Sequence, residues 1–429
     1  MICLDMLFLV LIFYISNFLR FYLNDYSFPN FEYLNIQHFY FVFLVILILL
    51  YFSRIYSFSF DFWEETRKVF VATFFSLLIV LSILSITKNN FEYSRVFITI
   101  YFTSIFLFLP VFKRIVKNIV FSCTYFKKKV FITGNKQQTA VLKEELRKNW
   151  YLGLEYSEDD FDTVFIATKG LSKGRTNDYL QKYAFLHKDI FIIPYLTNIN
   201  FANANFVQYT NIRYSLIHIE NKLLIKSNTV IKSISEKLLT LLILPLFVLI
   251  HCILVYLIKK DSKGGVFFKQ ERLGQNGKIF KCYKYRTMYE NGDEILKVYL
   301  QNNPDEVEYY GEFHKYKNDP RITKIGNILR KTSLDELPQV INVLKGEMNL
   351  VGPRPYMVTE KEKMGTNCDI ILKVKPAITG LWQVSGRNNL TFKQRYKLET
   401  WYINNWTLWL DIIILIKTIK VVLFKIGAK

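Results

Sequence analysis

The chain has 429 residues, room for two or three domains, with 56 Lys and Arg against 36 Asp and Glu and a formal charge of +20. It is also 51% hydrophobic, with 38 phenylalanines. That combination excludes a soluble nucleic-acid binder and points to a membrane protein that meets anionic head groups or phosphorylated substrates.

Four apolar segments come first: Ile2 to Leu23, Phe39 to Ile55, Phe70 to Ile86 and Val96 to Phe112. Each approaches the roughly 17–25 residues that cross a bilayer, so residues 1–118 are predicted as a four-helix transmembrane bundle. The connection Asn24 to His38 carries Asp25 and Glu32 without Lys or Arg, which places it outside. Arg54, Arg67 and Lys68 in the second connection, and Lys113, Arg114, Lys117 and Lys127 to Lys129 after the fourth segment, belong on the cytoplasmic side. Lys88 and Arg95 weaken this asymmetry without reversing it. The N-terminus is apolar from Ile2 and lacks a basic leader and a small-residue cleavage site, so a removed signal peptide is not expected.

Residues 119–228 change texture. Val130 to Thr133, Thr163 to Ala167 and Ile190 to Ile193 are short β-rich runs, and Thr139 to Lys148 and Asn177 to His187 have helical spacing. This alternation predicts a small Rossmann-like α/β domain. A dinucleotide fingerprint needs three glycines at the first strand-to-helix turn, and only Gly134 is present, so a structural or regulatory role is expected.

Residues 229–429 open with the apolar run Ile231 to Ile258, which has lysines on both flanks: Lys222, Lys226, Lys232 and Lys237 before, Lys259, Lys260 and Lys263 after. Both ends then face the cytoplasm, and Pro245 is the predicted break of a re-entrant hairpin, with a kinked full span as the alternative. Val266 to Lys269 and Lys278 to Tyr285 read as two extended segments around a Gly274 to Gly277 turn. They carry Lys269, Arg272, Lys281, Lys284 and Arg286, suited to a membrane-facing ribbon or to gathering phosphate. Asn291 to Lys317 is acidic and reads as solvated. Trp401 to Phe424 suits either the bilayer interface or a packed core.

The organising stretch is Asp319 to Pro355, centred on the adjacent acids Asp335 and Glu336. Arg321, Lys324, Arg330 and Lys331 precede them, and Arg354 follows between two prolines. Cations draw in a phosphate, and a carboxylate beside them can attack it. Pro338 is tolerated only in a first turn, so a helix is predicted from near Ser333 to Asp335 as far as Gly346. That would set the dyad at a helix N-terminus, which favours anions. The structural alternative is a capping box of Ser333 with Glu336. The five scattered cysteines (Cys3, Cys123, Cys252, Cys282, Cys368) form no C-x-x-C pair, which fits a reducing cytosol and argues against a zinc site or disulfide framework.

Three segments, VFFKQERLGQNGKIFKCYKYRTM, TKIGNILRKTSLDELPQVINVLKGEMNLVGPRP and KPAITGLWQVSGRN, resemble the bacterial polyprenyl-phosphate phosphoglycosyl transferases, which initiate surface polysaccharide assembly. The resemblance covers about Ser233 to Ile426, and the N-terminal half looks like that of the larger members. It implies a multidomain membrane protein: a transmembrane bundle, a Rossmann-like domain and a mainly α catalytic domain with a re-entrant helix, held on the cytoplasmic face of the bacterial inner membrane. By the same resemblance Asp335 is the attacking aspartate and Glu336 its partner and a Mg²⁺ ligand. Lys284, Arg286, Arg321 and Arg354 match basic active-site positions, and Pro245 matches the proline of the re-entrant helix. Lys269, Arg272, Arg330 and Arg387 are the candidate substrate-binding cations. Tyr285, Ala377 and Glu399 stand where the family usually has Phe, Gly and Asp, and the longer Glu399 puts in question whatever that carboxylate holds. The implied partners are undecaprenyl phosphate, a UDP-sugar and membrane lipids, with a homodimer left open and no nucleic acid.

Two rival functions differ in what they require of the chain. A nucleotide-sugar dehydratase needs a complete Gly-rich loop and a catalytic Tyr-x-x-x-Lys, and here Tyr125/Lys129 and Tyr256/Lys260 fall beside membrane segments. A non-catalytic scaffold of polysaccharide export would differ in releasing no UMP from a UDP-sugar.

Overall fold

A computed structural model describes residues 1–23, 32–87, 94–185, 189–194, 205–209, 214–218, 222–303, 305–306, 316, 319–386 and 390–424. The chain forms two compact units, Met1–Leu196 and Thr197–Lys429.

The first unit begins with helices α1 (Ile2–Tyr22), α2 (Tyr40–Phe52), α3 (Phe62–Thr87) and α4 (Arg95–Val120). Phe13, Phe39, Phe43, Phe97 and Tyr101 interlock edge-to-face at its centre, with Phe39 and Tyr101 centroids 4.9 Å apart at 90°. Polar contacts hold both ends. At one end Lys113 donates to Asp5 at 2.7 Å, as does Tyr56, while Lys117 pairs with Glu65. At the other, Arg20 donates to Ser94 at 2.9 Å, and Asn17 bonds the backbone of Leu34 in both directions. The starts of α1 and α3 and the end of α4 thus meet at one end, as an up-down bundle requires.

The second apolar segment is the shortest of the four: a 3₁₀ turn (Ile36–Phe39) capped by Asn35 runs straight into α2, an apolar helical stretch Ile36–Phe52 of 17 residues, and Arg54 turns left-handed just beyond it. Among the described residues, four helices are long and apolar enough to cross a membrane: α1, α3, α4 and, in the second unit, the helix Lys226–Asp261. Lys113 and Lys117, at the end of α4, are not free surface cations. They are buried in ion pairs, and Lys117 also lies 4.3 Å from the centre of the Tyr151 ring.

The rest of this unit is an all-parallel sheet of order β2-β1-β3-β4. Its strands are β1 (Lys128–Gly134), β2 (Leu154–Tyr156), β3 (Thr163–Ala167) and β4 (Asp189–Ile193), joined by α5 (Lys136–Lys148) and α6 (Lys173–Phe185). The predicted strands and helices are all present, and Val164 and Ile166 of β3 pack on Tyr183 of α6.

The second unit starts with the antiparallel pair β5 (Asn205–Tyr209) and β6 (Tyr214–His218) and the 36-residue helix α7 (Lys226–Asp261). Pro245 lies inside α7 and does not divide it into two segments, because a proline removes one hydrogen bond and apolar helices tolerate that loss. Both ends of α7 are docked on this unit. Glu236 accepts backbone N–H groups of Leu350 and Val351, and Asp261 accepts that of Ile325. Between those anchors Leu241, Leu242, Ile243, Leu246, Val248 and Leu249 are all exposed.

β7 (Phe267–Leu273) and β8 (Ile279–Tyr285) form the predicted ribbon, with Asn276 and Gly277 left-handed in its turn. α8 (Gly292–Asn302) follows, then the helix Lys324–Thr332. Further on, β9 (Asn349–Val351) pairs in parallel with β10 (Ala377–Thr379), and the helices Phe392–Asn404 and Leu408–Leu423 close the fold. The aromatic C-terminal stretch divides: Tyr402 and Trp406 are core, while Trp401 is exposed.

Candidate active site

Ser333 adopts φ +58°, and this left-handed residue ends the helix Lys324–Thr332. Leu334–Glu336 form one 3₁₀ turn, and a new helix, Gln339–Lys345, starts only after Pro338 and ends at left-handed Gly346. The helix end at Gly346 is as predicted; the start is not. The dyad sits in a turn between two helices, and Ser333 makes no side-chain cap there, so the capping box does not form. Pro338 acts as the residue before the helix, where its missing N–H costs nothing.

Two features press this turn against β8. Gly326 packs so closely that a Cβ there would lie 2.1 Å from the Thr287 carbonyl oxygen. Asn342 donates to the Lys281 carbonyl at 2.8 Å and accepts from the Tyr283 N–H. Lys284 is thereby delivered to the dyad, its ammonium 2.7 Å from Glu336 Oε1 and 4.0 Å from Asp335 Oδ2. One cation serves two carboxylates. Asp335 is accordingly pushed up to about 6, first by burial and then by Glu336, against the pull of Lys284 and Arg330.

The dyad opens on a cavity of about 740 Å³, walled also by Phe267, Phe268, Gln270, Tyr285 and, at the far end, Tyr289, Asp293 and Arg321. Lys284, Arg286, Arg321, Arg330, Asp335 and Glu336 all line it, so six of the sequence-derived residues converge. Their engagements differ. Arg286 is tied to the carbonyls of Ser262 and Lys263 just past α7, and Arg321 is held by both oxygens of Asp319 at 2.7–2.8 Å. Arg330 donates to Thr287 at 2.9 Å.

Arg354, Arg272 and Lys269 are not in the wall of this cavity among the described residues. Arg354 lies over Trp382, and its backbone N–H donates to Glu399 at 2.8 Å. Arg272 donates to the Pro355 carbonyl, and burial and then Arg354 lower its pKa. Lys269 lies over the Tyr283 ring. Arg387 falls outside the described residues. Glu399, buried, holds the Arg354 backbone and the Tyr356 hydroxyl, and burial pushes it up to about 7.

Sequence reasoning missed the aromatic wall and the acidic far end. Phe247, His251, Phe267 and Tyr285 stack in series, and His251 Nδ1 lies 2.6 Å from the Tyr285 hydroxyl, joining α7 to the cleft. The alternation of β8 was a signal for Tyr285. Asp293 was hidden in a run read as solvated.

No cluster of three or more His, Cys, Asp or Glu suited to a metal occurs among the described residues. The two carboxylates of the dyad fit Mg²⁺ nonetheless, since that ion takes one or two carboxylates and completes its shell with waters and substrate phosphates. Glu336, the more exposed of the pair, is the better placed ligand.

Residues 227–425 match the family described as bacterial sugar transferase. The undecaprenyl-phosphate galactose phosphotransferase of Salmonella typhimurium is 32% identical over 404 residues, 87% of this chain and 84% of that protein. The UDP-galactose-lipid carrier transferase of Erwinia amylovora is 32% identical over 406 residues, with 87% and 84% covered. The exopolysaccharide production protein ExoY of Rhizobium meliloti is 45% identical over 188 residues, 81% of that protein but 44% of this chain.

Proposed function

The chain belongs to the bacterial sugar transferases, and from that premise we propose that it moves a sugar phosphate from a UDP-sugar to undecaprenyl phosphate, initiating a surface polysaccharide. The carrying observation is the dyad: a half-buried Asp335 that shares Lys284 with Glu336 at the wall of a cavity large enough for a sugar nucleotide.

In this reading Asp335 Oδ attacks the sugar-bearing phosphorus, a P–O bond to the enzyme forms, and the bond to the nucleotide breaks, releasing UMP. A phosphate oxygen of the lipid acceptor then attacks the same phosphorus and returns the carboxylate. Lys284 can follow the charge from Glu336 to a phosphoryl oxygen, where such a donor contributes most in the transition state. Arg330 and Arg321 steady the remaining anionic oxygens. Mg²⁺ held by Glu336 would supply charge neutralisation on the diphosphate. Intact-protein mass spectrometry tests the step: wild type mixed with a UDP-sugar gains a phosphosugar mass, and Asp335→Asn gains none. The same gain on Asp335→Asn would place the nucleophile elsewhere.

We read α7 as bending at Pro245, entering the near leaflet and returning. Docking of both ends on one unit, with the exposed apolar residues between them, supports the bend. Cysteines at Ser227 and Ser262 in a cysteine-free background are then both shielded from an impermeant thiol reagent outside intact cells; labelling of the Ser262 position sinks this topology.

A further inference from the structure

At the base of α7 lies a second cavity of about 220 Å³, lined by Thr229, Lys232, Ser233, Gln275, Asn349 and Lys375. It shares no described residue with the catalytic cleft. Its charges are unevenly settled. Lys232 donates to Glu236 at 2.5 Å and to Asp411 at 2.6 Å. Those carboxylates are further satisfied by the Leu350 and Val351 N–H groups and by Tyr402 and Trp406. Lys375, partly buried, and the neighbouring Lys237 have no carboxylate within ion-pair distance among the described residues. Burial, and then the charge of Lys237, hold the Lys375 ammonium below its ordinary pKa. Lys375 lines the cavity beside Ser233 and Asn349, and exposed Lys237, outside its wall, adds positive charge, an arrangement that a phosphate completes.

The position of the cavity along α7 indicates where that phosphate comes from. Val230, which lines the cavity, and Ile231 and Ile234 are exposed, and Lys237 follows within the same apolar face, before exposed Leu238, Leu241 and Leu242. A lysine set into such a face lays its stem on the apolar surface and carries its ammonium to head-group level. We propose that this pocket is a phosphate site, occupied by the head group of an anionic phospholipid of the leaflet into which α7 inserts. It is separate from the catalytic cleft and independent of which residue attacks phosphorus. A bound head group would fix the depth of α7 while leaving the cleft open to substrates.

The test uses the full chain in nanodiscs of phosphatidylcholine containing about one-fifth phosphatidylglycerol, with retained lipid quantified by native mass spectrometry. Wild type is expected to retain phosphatidylglycerol. Lys237→Gln and Lys375→Gln each lower that retention roughly fivefold, Lys375→Arg restores most of it, and the distant Lys297→Gln leaves it unchanged. Phosphosugar adduct formation, measured on the same samples, stays at the wild-type level, which separates this site from the catalytic reading. Equal retention by wild type and the Lys237→Gln/Lys375→Gln pair overturns the site. Stabilisation by inorganic phosphate in pure phosphatidylcholine discs, without selective retention of phosphatidylglycerol, overturns the lipid as occupant.

Discussion

The bundle and the cleft both bring ammonium and carboxylate groups together, to opposite ends. In the bundle two lysines serve two acids: Lys113 lies 2.7 Å from Asp5 and 3.6 Å from Glu65, Lys117 completes Glu65, and the four groups are almost fully shielded from solvent. In the cleft Lys284 is divided between Asp335 and Glu336, and all three keep 16–33% of their side-chain surface open. A closed set with as many cations as acids resists disruption but has no capacity left for a ligand. An open set with one lysine for two acids leaves one carboxylate under-stabilised and one cation able to turn to a new anion. The difference separates structural charge from reactive charge more surely than the number of charges does.

Breaking the closed set should show the largest effect. Lys113→Ala leaves the buried carboxylate of Asp5 with the Tyr56 hydroxyl but no counter-charge at hydrogen-bond distance, and is expected to cost about 3–5 kcal/mol, read as a lowered melting point in detergent. The protein that stays folded should keep its turnover, and a loss of turnover without a loss of stability would erase the distinction. Next, Lys284→Ala in the open set should lower turnover by about 10²–10³-fold with little change in melting point. Arg354→Ala, outside the cavity wall, should cost less than Lys284→Ala; the reverse order would show that substrate reaches the Trp382 side.

The smallest effect is on stability, and it has the opposite sign. Because folding raises Asp335 from its usual acidic range to about 6, the folded state holds more protons between roughly pH 4 and pH 6, and stability falls as pH rises through that window. Asp335→Asn should therefore stabilise the protein at pH 7 by about 1–3 kcal/mol and give little gain below pH 4. Turnover of wild type should rise as pH rises through about 6, where the carboxylate ionises.

Much of this was legible in the sequence, and the failures have physical causes. The ribbon, the sheet strands and the long apolar helices follow from local pattern, which periodicity reports directly. The dyad was found by composition, but its setting was misread because Ser333 looks like a helix start and instead ends a helix by turning left-handed. Arg321 and Arg286 reach the cavity already engaged, by Asp319 two residues away and by carbonyls 23–24 residues away, and no periodicity announces such contacts. The burial of Lys113 depends on Asp5, 108 positions earlier, a partner that a local count of cations does not see.

That same separation has a consequence in time. Helix α1 leaves the ribosome with Asp5 and no ammonium to meet it, and at 5–20 residues per second Lys113 follows only after roughly 5–20 s. Until then the earliest helix carries an unmatched carboxylate, which keeps its first turn near water and delays its final seating. The bundle is completed by its last helix, when Lys113 and Lys117 arrive together and close both acids at once.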